Sequence, residues 1–161
     1  MAAKSISFAD LPPIGPAGLA SPAPLGVLDI ERVAFPNGVT ALLWPNDAEP
    51  GRVTVKVRFG AGWQAFGPDE AVYAKLGESA LVGSGVGELG QEELDRISTG
   101  RRMGFDFGIG DAVFTFTAQT RAADLADQLY LFAAKLAMPR WDANPVLRAK
   151  AATALKKDEA T

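Results

Sequence analysis

The chain has 161 residues, a net charge of −3 and no cysteine or histidine, and 48% of its residues are hydrophobic. This length suffices to bury one sizeable core, so a single soluble domain is the simplest expectation. The missing cysteine excludes disulfides and thiol catalysis, and the missing histidine excludes histidine-dependent triads and the commonest ligand of catalytic zinc.

Residues 1–27 form a separate zone that is rich in proline, glycine and alanine. Proline fixes φ and removes an amide donor, so this segment is predicted to run as an extended connector. Two interpretations stand side by side, an interdomain linker and a disordered terminus. The globular domain is expected to span residues 28–161.

Three strands are predicted to open this domain. The turn Pro36-Asn37-Gly38 separates two apolar runs, Ile30–Phe35 and Val39–Trp44, and Asn-Gly in this position is a strong signal for a β-hairpin. In the segment 53–59 the apolar residues alternate with Thr and basic residues, which predicts a strand with one buried and one solvent-exposed face.

Helices and a second strand pair follow. A helix is predicted from about Asp69 to Val82 with Val72, Leu76 and Ala80 facing inward, and then a short polar helix over residues 91–98. Residues 105–109 and 112–118 read as two strands. The spacing of apolar residues then predicts an amphipathic helix whose core stripe is Leu125, Leu129, Phe132 and Leu136.

A last helix is predicted over about residues 145–157. The order β-β-β-α-α-β-β-α-α indicates an α+β fold in which helices pack on a largely antiparallel sheet.

The ordered pieces resemble the first part of a domain of the pitrilysin/insulysin-type (M16-like) zinc metallopeptidases, the fold shared with mitochondrial processing peptidase. The resemblance rests on FPNGVTALLWP, RVTVKVRFGAG, ESALVGSG, QEELDRIS, GFDFGIGDAVFTFTAQT and DLADQLYLFAAKLAMPRWD. It covers roughly residues 28–161 and implies the same fold, truncated, because the family's domain continues further.

The family carries the inverted zinc motif His-x-x-Glu-His on the helix that follows the third strand. By this resemblance Glu78 takes the position of the catalytic base, and Lys75 and Ser79 take the positions of the zinc-binding histidines. An ammonium and a hydroxyl do not replace two imidazoles. We therefore expect a vestigial motif at Lys75, Glu78 and Ser79, with no catalytic residue, cofactor or metal ion in this chain.

The resemblance further implies the inactive half of a peptidase. Such a half pairs with a catalytic domain, in the same parent chain or in a separate subunit, which holds the zinc. It closes the chamber and contacts the peptide substrate, which this family holds as an added strand. Periplasmic and cytoplasmic locations are both compatible with the sequence.

Two alternative classes of function remain. One is a stand-alone interaction module, for which a homodimer is one form. The other is a nucleotide-binding domain, because Gly85, Gly87 and Gly90 satisfy G-x-G-x-x-G and Asp106 fits the ribose position. That alternative requires residues 79–82 to form a strand, whereas they read as a helix end. The acidic net charge disfavours nucleic acid, and no apolar run reaches the length of a membrane span.

Two further groups of residues, acidic side chains and tryptophans, are candidates for a metal site and for peptide contact. Acidic side chains are candidates for a carboxylate metal site, although their spacing matches no known binding loop; they are Asp69, Glu70, Glu78, Glu88, Glu92 and Glu93. Of the tryptophans Trp44, Trp63 and Trp141, Trp63 is the candidate for peptide contact, and anchoring onto its own domain is favoured over that role.

Overall fold

A computed structural model describes Pro12 and residues 21–159, with the side chains of Ser21 and residues 156–159 left undescribed. Most of the predicted connector, residues 1–27, therefore lies outside the described part. The described chain divides into a small unit, residues 21–51, and a large unit, residues 52–159. The predicted boundary between residues 27 and 28 lies within the small unit.

The small unit is a three-stranded antiparallel sheet in the order β1-β2-β3. Its strands are β1 (Ser21–Pro24), β2 (Glu31–Ala34) and β3 (Thr40–Leu43). The predicted hairpin is confirmed: Gly38 has a φ of +87°, and the amide of Val39 donates to Oδ1 of Asn37 at 3.1 Å. The sequence reading predicted an extended segment where β1 lies, without assigning a strand to it.

The large unit contains a second three-stranded sheet in the order β4-β6-β5, again antiparallel throughout. Its strands are β4 (Val53–Phe59), β5 (Asp106–Ile109) and β6 (Phe114–Thr120). Its helices are α1 (Ala71–Gly83), α2 (Gln91–Ile97), α3 (Leu125–Ala137) and α4 (Ala143–Glu159). The predicted α+β class with antiparallel pairing is confirmed, but the strands of the described chain form two sheets.

The core of the large unit lies on one face of its sheet. Leu81 of α1, Phe116 of β6 and Phe132 of α3 are nearly or fully buried and pack in one cluster. Burying side chains of this size contributes about 2 kcal/mol each. Because both helices meet the same strand, the sheet face fixes where α1 and α3 lie.

The buried face of α3 differs from the predicted stripe. Only Phe132 of that stripe is fully buried, whereas Leu129 and Leu136 are 47% and 48% exposed. Gln128 and Lys135 are buried instead, at 0% and 3% exposure. Compared with the predicted orientation, α3 is rotated about its own axis, because these two polar side chains form hydrogen bonds with backbone groups inside the fold.

The predicted inward stripe of α1 is also wrong at its first residue, Val72. Val72 is 61% exposed, while Ala80 is 1% exposed and does face the core. The N-terminal part of α1 thus carries apolar side chains that the core does not use.

Gln128 makes the more specific of the two buried polar contacts. Its amide nitrogen donates to the carbonyl oxygen of Gly104 at 2.8 Å, and its carbonyl oxygen accepts the amide of the same residue at 2.9 Å. This two-way pairing copies one step of a β-ladder and fixes the chain just before β5. It supplies a side-chain partner for backbone groups that lie outside any strand.

Replacing Gln128 with alanine should destabilise the fold by about 2–3 kcal/mol, because both polar groups of Gly104 lose their partner in a buried site. The adjacent Leu129→Ala is the matched control and should cost less than about 1 kcal/mol, since that side chain is half exposed. Urea unfolding followed by circular dichroism measures both. Equal losses would contradict the assigned role of Gln128.

Candidate functional site

The motif positions lie together on α1. Lys75 and Ser79 are exposed and one helical turn apart, and Glu78 is half-buried beside them. The donor set does not fit zinc, since a lysine ammonium offers no lone pair and a serine hydroxyl is a weak ligand. Lys75 and Ser79 therefore lie at the surface and Glu78 lies towards the sheet. None of the three supplies an imidazole nitrogen or a thiolate to a metal ion.

Glu78 contacts the edge of the sheet. Its Oε1 accepts the backbone amide of Ile109 at 3.1 Å. Ile109 belongs to β5, which is an edge strand, and edge amides are the groups to which a further strand would bind. The carboxylate that occupies the base position in the resemblance thus binds α1 to β5 and caps one amide of that edge.

The C-terminal end of α1 is bound by a buried lysine. Nζ of Lys135 donates to the carbonyl oxygens of Leu81 at 2.8 Å and Ser84 at 2.5 Å. It also lies 4.5 Å from the ring centre of Phe105. A cation at a helix C-terminus stabilises the unpaired carbonyls there, and here it joins α3 to α1.

Asp142 extends this polar cluster. Its Oδ2 accepts the amide of Gly85 at 3.0 Å and its Oδ1 accepts Nε of Arg140 at 2.5 Å. The bond from the Gly85 amide, followed by the one from Arg140, holds the pKa of Asp142 below its usual value. Burial lowers the pKa of Lys135 to about 8, and the charge of Asp142 opposes that effect.

The glycine pattern forms a tight turn. Val86 and Leu89 exchange backbone hydrogen bonds at 2.9 Å, and a side chain on Gly85 would meet the oxygen of Leu89 at 1.8 Å. Residues 79–82 lie in α1, so the strand that dinucleotide binding requires is a helix here. The glycines are explained by close backbone contact instead.

The remaining candidates do not converge on one point. No group of three acidic side chains close enough to hold a metal ion occurs within residues 21–159 as described. Trp63 is half-buried, donates its amide to Gly110 at 2.8 Å and packs its ring on Phe66. These contacts favour the anchoring role over peptide contact. None of the described helices combines the length and hydropathy needed to cross a bilayer.

Sequence reasoning missed Gln128, Lys135 and Asp142 as organising residues. The available signal was that Gln128 and Lys135 are separated by seven positions and share one helix face with Phe132. Polar residues on an otherwise apolar face of a helix indicate specific buried hydrogen bonds, but their partners are distant in sequence.

Comparison with known proteins supports the fold only. No protein family profile and no curated protein matches the sequence. Among solved structures, the chain is similar to a mutant of the ferredoxin protease FusC in complex with Arabidopsis ferredoxin, with a TM-score of 0.74 and 17% identity. It is also similar to the periplasmic protease PqqL from Escherichia coli, with a TM-score of 0.78 and 19% identity.

Both neighbours are pitrilysin-like peptidases, so the resemblance stated from the sequence holds at the level of the fold. The matches cover 99% and 91% of this chain. The chain spans only 18% of the FusC chain and 16% of the PqqL chain. Activity, substrates and partners of a whole peptidase are therefore matters for proposal.

The free energy of unfolding should increase with pH between about pH 8 and about pH 9.5. The pKa of Lys135 is about 8 in the fold against 10.5 ordinarily, so the unfolded chain binds more protons in this interval. The gain should be about 1–2 kcal/mol over that range. It should be absent from Lys135→Met, and urea titrations at several pH values measure the difference between the two proteins.

Burial raises the pKa of Tyr130, so its ionisation opposes the gain from Lys135 at still higher pH. Parallel pH profiles for the wild type and Lys135→Met would contradict the assignment to Lys135.

Proposed function

We propose that this chain forms part of a non-catalytic domain of a zinc metallopeptidase. The domain pairs with a catalytic domain, helps to close the chamber and contacts the peptide substrate. The catalytic zinc belongs to the partner domain, in the same parent chain or in a separate subunit. Lys75, Glu78 and Ser79 are the vestigial motif.

One observation carries this proposal: the fold is similar to those of two peptidases over nearly the whole chain. The resemblance assigns the zinc-ligand positions to Lys75 and Ser79, which are a lysine and a serine. A fold alone does not imply an activity, and a site without nitrogen or sulfur ligands gives no reason to expect zinc hydrolysis here. The small share of each neighbour that the chain matches agrees with a unit that works as part of a larger assembly.

The sheet of the large unit supports the peptide-contact part. β4 lies at one edge and is seven residues long, whereas the other edge strand, β5, already has its Ile109 amide bound by Glu78. An edge strand pairs with an extended peptide through main-chain hydrogen bonds and makes little demand on sequence. Such a contact requires no catalytic residue.

A stand-alone interaction module remains the second candidate because of the surface of α4. Leu147 and Leu155 are 60% and 64% exposed, and with Ala151 they follow the four-residue spacing of one helix face. An apolar helix face of this kind suits a partner helix, including one from a second copy of the chain.

The purified protein should retain less than about 0.1 zinc per chain after incubation with zinc and desalting. Lys75→His combined with Ser79→His should retain more zinc than the wild type but less than one per chain, because histidines four residues apart on a helix with Glu78 between them recreate the motif but supply only two of the three protein ligands of a catalytic zinc. Elemental mass spectrometry measures the metal. Lys75→Ala with Ser79→Ala is the control that alters the same positions without adding ligands.

One tightly held zinc per wild-type chain would contradict a vestigial site. If the double histidine variant retained no more zinc than Lys75→Ala with Ser79→Ala, with its circular dichroism unchanged, the placement of the motif at these positions of α1 would be contradicted.

Cross-linking in the native cell should join this chain to a polypeptide that carries an intact His-x-x-Glu-His motif. Mass spectrometry of the cross-linked peptides identifies the partner, and cleavage assays on the recovered complex should show zinc-dependent peptide hydrolysis. Cross-links only between copies of this chain would contradict the proposal and favour the stand-alone module.

A further inference from the structure

An aromatic cavity of about 560 Å³ opens between α1 and the sheet of the large unit. Five phenylalanines line it, namely Phe59, Phe66, Phe107, Phe114 and Phe116. Tyr73 and Trp141, 75% and 57% exposed, also line the cavity. This volume and this apolar lining are typical of sites for small organic ligands.

The rings support one another and do not collapse into the space. Phe107 packs on Phe116 with ring centres 5.4 Å apart, and Phe114 packs on Phe59 at 5.6 Å and Phe66 at 5.9 Å. Edge and tilted contacts of this kind stabilise aromatic pairs. A wall of aromatic rings favours a ligand with an aromatic or bulky apolar group.

The charged groups of the lining determine whether the cavity favours a cationic or an anionic ligand. They are Glu70, Glu78 and Lys135. The lysine Nζ is already directed at the carbonyl oxygens of Leu81 and Ser84. The two carboxylates leave the lining with an excess of negative charge, and aromatic ring faces attract cations as well.

Glu78 is held where it can bind such a cation. Its Oε1 accepts the Ile109 amide at 3.1 Å, which fixes the carboxylate beside Phe107 and Ile109 at one wall. A carboxylate held in this way keeps a second oxygen for a charge-assisted hydrogen bond.

We propose that this cavity binds a hydrophobic organic cation, an aryl-alkyl ammonium ion, with the ring between the phenylalanines and the ammonium at Glu78. The cavity volume exceeds that of a compact ion such as tetramethylammonium, so the ring supplies most of the contact area. Anions are disfavoured by the two carboxylates. This site includes Glu78 of the proposed vestigial motif, but ligand binding here requires neither zinc nor a catalytic partner.

Three ligands with one ring system test the charge. Tryptamine is the cation, 3-ethylindole the neutral analogue and indole-3-propionate the anion. Titration of the full chain followed by NMR should shift the signals of cavity residues such as Phe107 and Ile109. Tryptamine should bind about tenfold more tightly than 3-ethylindole, as expected for a hydrogen bond to a charged group.

The variant Glu78→Gln separates charge from structure, because the glutamine oxygen still accepts the Ile109 amide. It should remove the tenfold preference for tryptamine and leave binding of 3-ethylindole unchanged. Glu88→Gln, an exposed carboxylate outside the cavity, is the matched control and should bind all three ligands as the wild type does.

Equal affinities for the three ligands in the wild type, tightest binding of the anion, or no shifts at cavity residues would each overturn the proposal. Retention of the preference in Glu78→Gln would overturn the assignment of Glu78. None of these results depends on zinc content or on a peptidase partner.

Discussion

The arrangement of the large unit depends on one buried cation. Lys135 reaches from α3 to two carbonyl oxygens at the end of α1, and these dipoles and nearby Asp142 offset part of the cost of burying its charge. A buried ammonium without such partners would be strongly unfavourable. The contact therefore specifies how α1 and α3 lie relative to each other, while the apolar cluster around Phe116 supplies most of the packing free energy.

From that contact the polar network continues through Ser84 to Asp142, just before α4. The hydroxyl of Ser84 donates to the Ala80 carbonyl and accepts the Asp142 amide, so the end of α1 and the start of α4 are joined directly. Asp142 then accepts the amide of Gly85, at the beginning of the glycine turn. Each buried side-chain nitrogen or oxygen in the described part of the chain has a hydrogen-bond partner.

The local elements were predictable because their signals are local. The Asn-Gly turn between β2 and β3 corresponds to hydrogen bonds between near neighbours, and the alternation in Val53–Phe59 reflects side chains that point alternately to the two faces of one strand. The face of α3 was not predictable in this way. Leu129 looks like a core residue, and Gln128 does not, until the distant Gly104 is known to pair with it.

The same limit applies to the candidate site. The resemblance placed Lys75, Glu78 and Ser79 on one helix, and the structure does so. It gave no indication that Glu78 would contact Ile109, because that bond crosses 31 residues. The aromatic cavity was also invisible, since each of its phenylalanines fits an ordinary core pattern and only their joint geometry leaves a space.

The contacts of α1 explain why this helix needs no metal ion to hold its position. The helix is held by Ala80 and Leu81 in the core, by Lys135 at its C-terminal end and by Glu78 on β5. Lys75 and Ser79 are exposed, so their identity has little influence on packing. A metal contributes folding free energy only where its ligands fix the structure, and here packing and a buried lysine hold the helix. The position of α1 thus depends little on which residues stand at 75 and 79, as the proposed non-catalytic role requires.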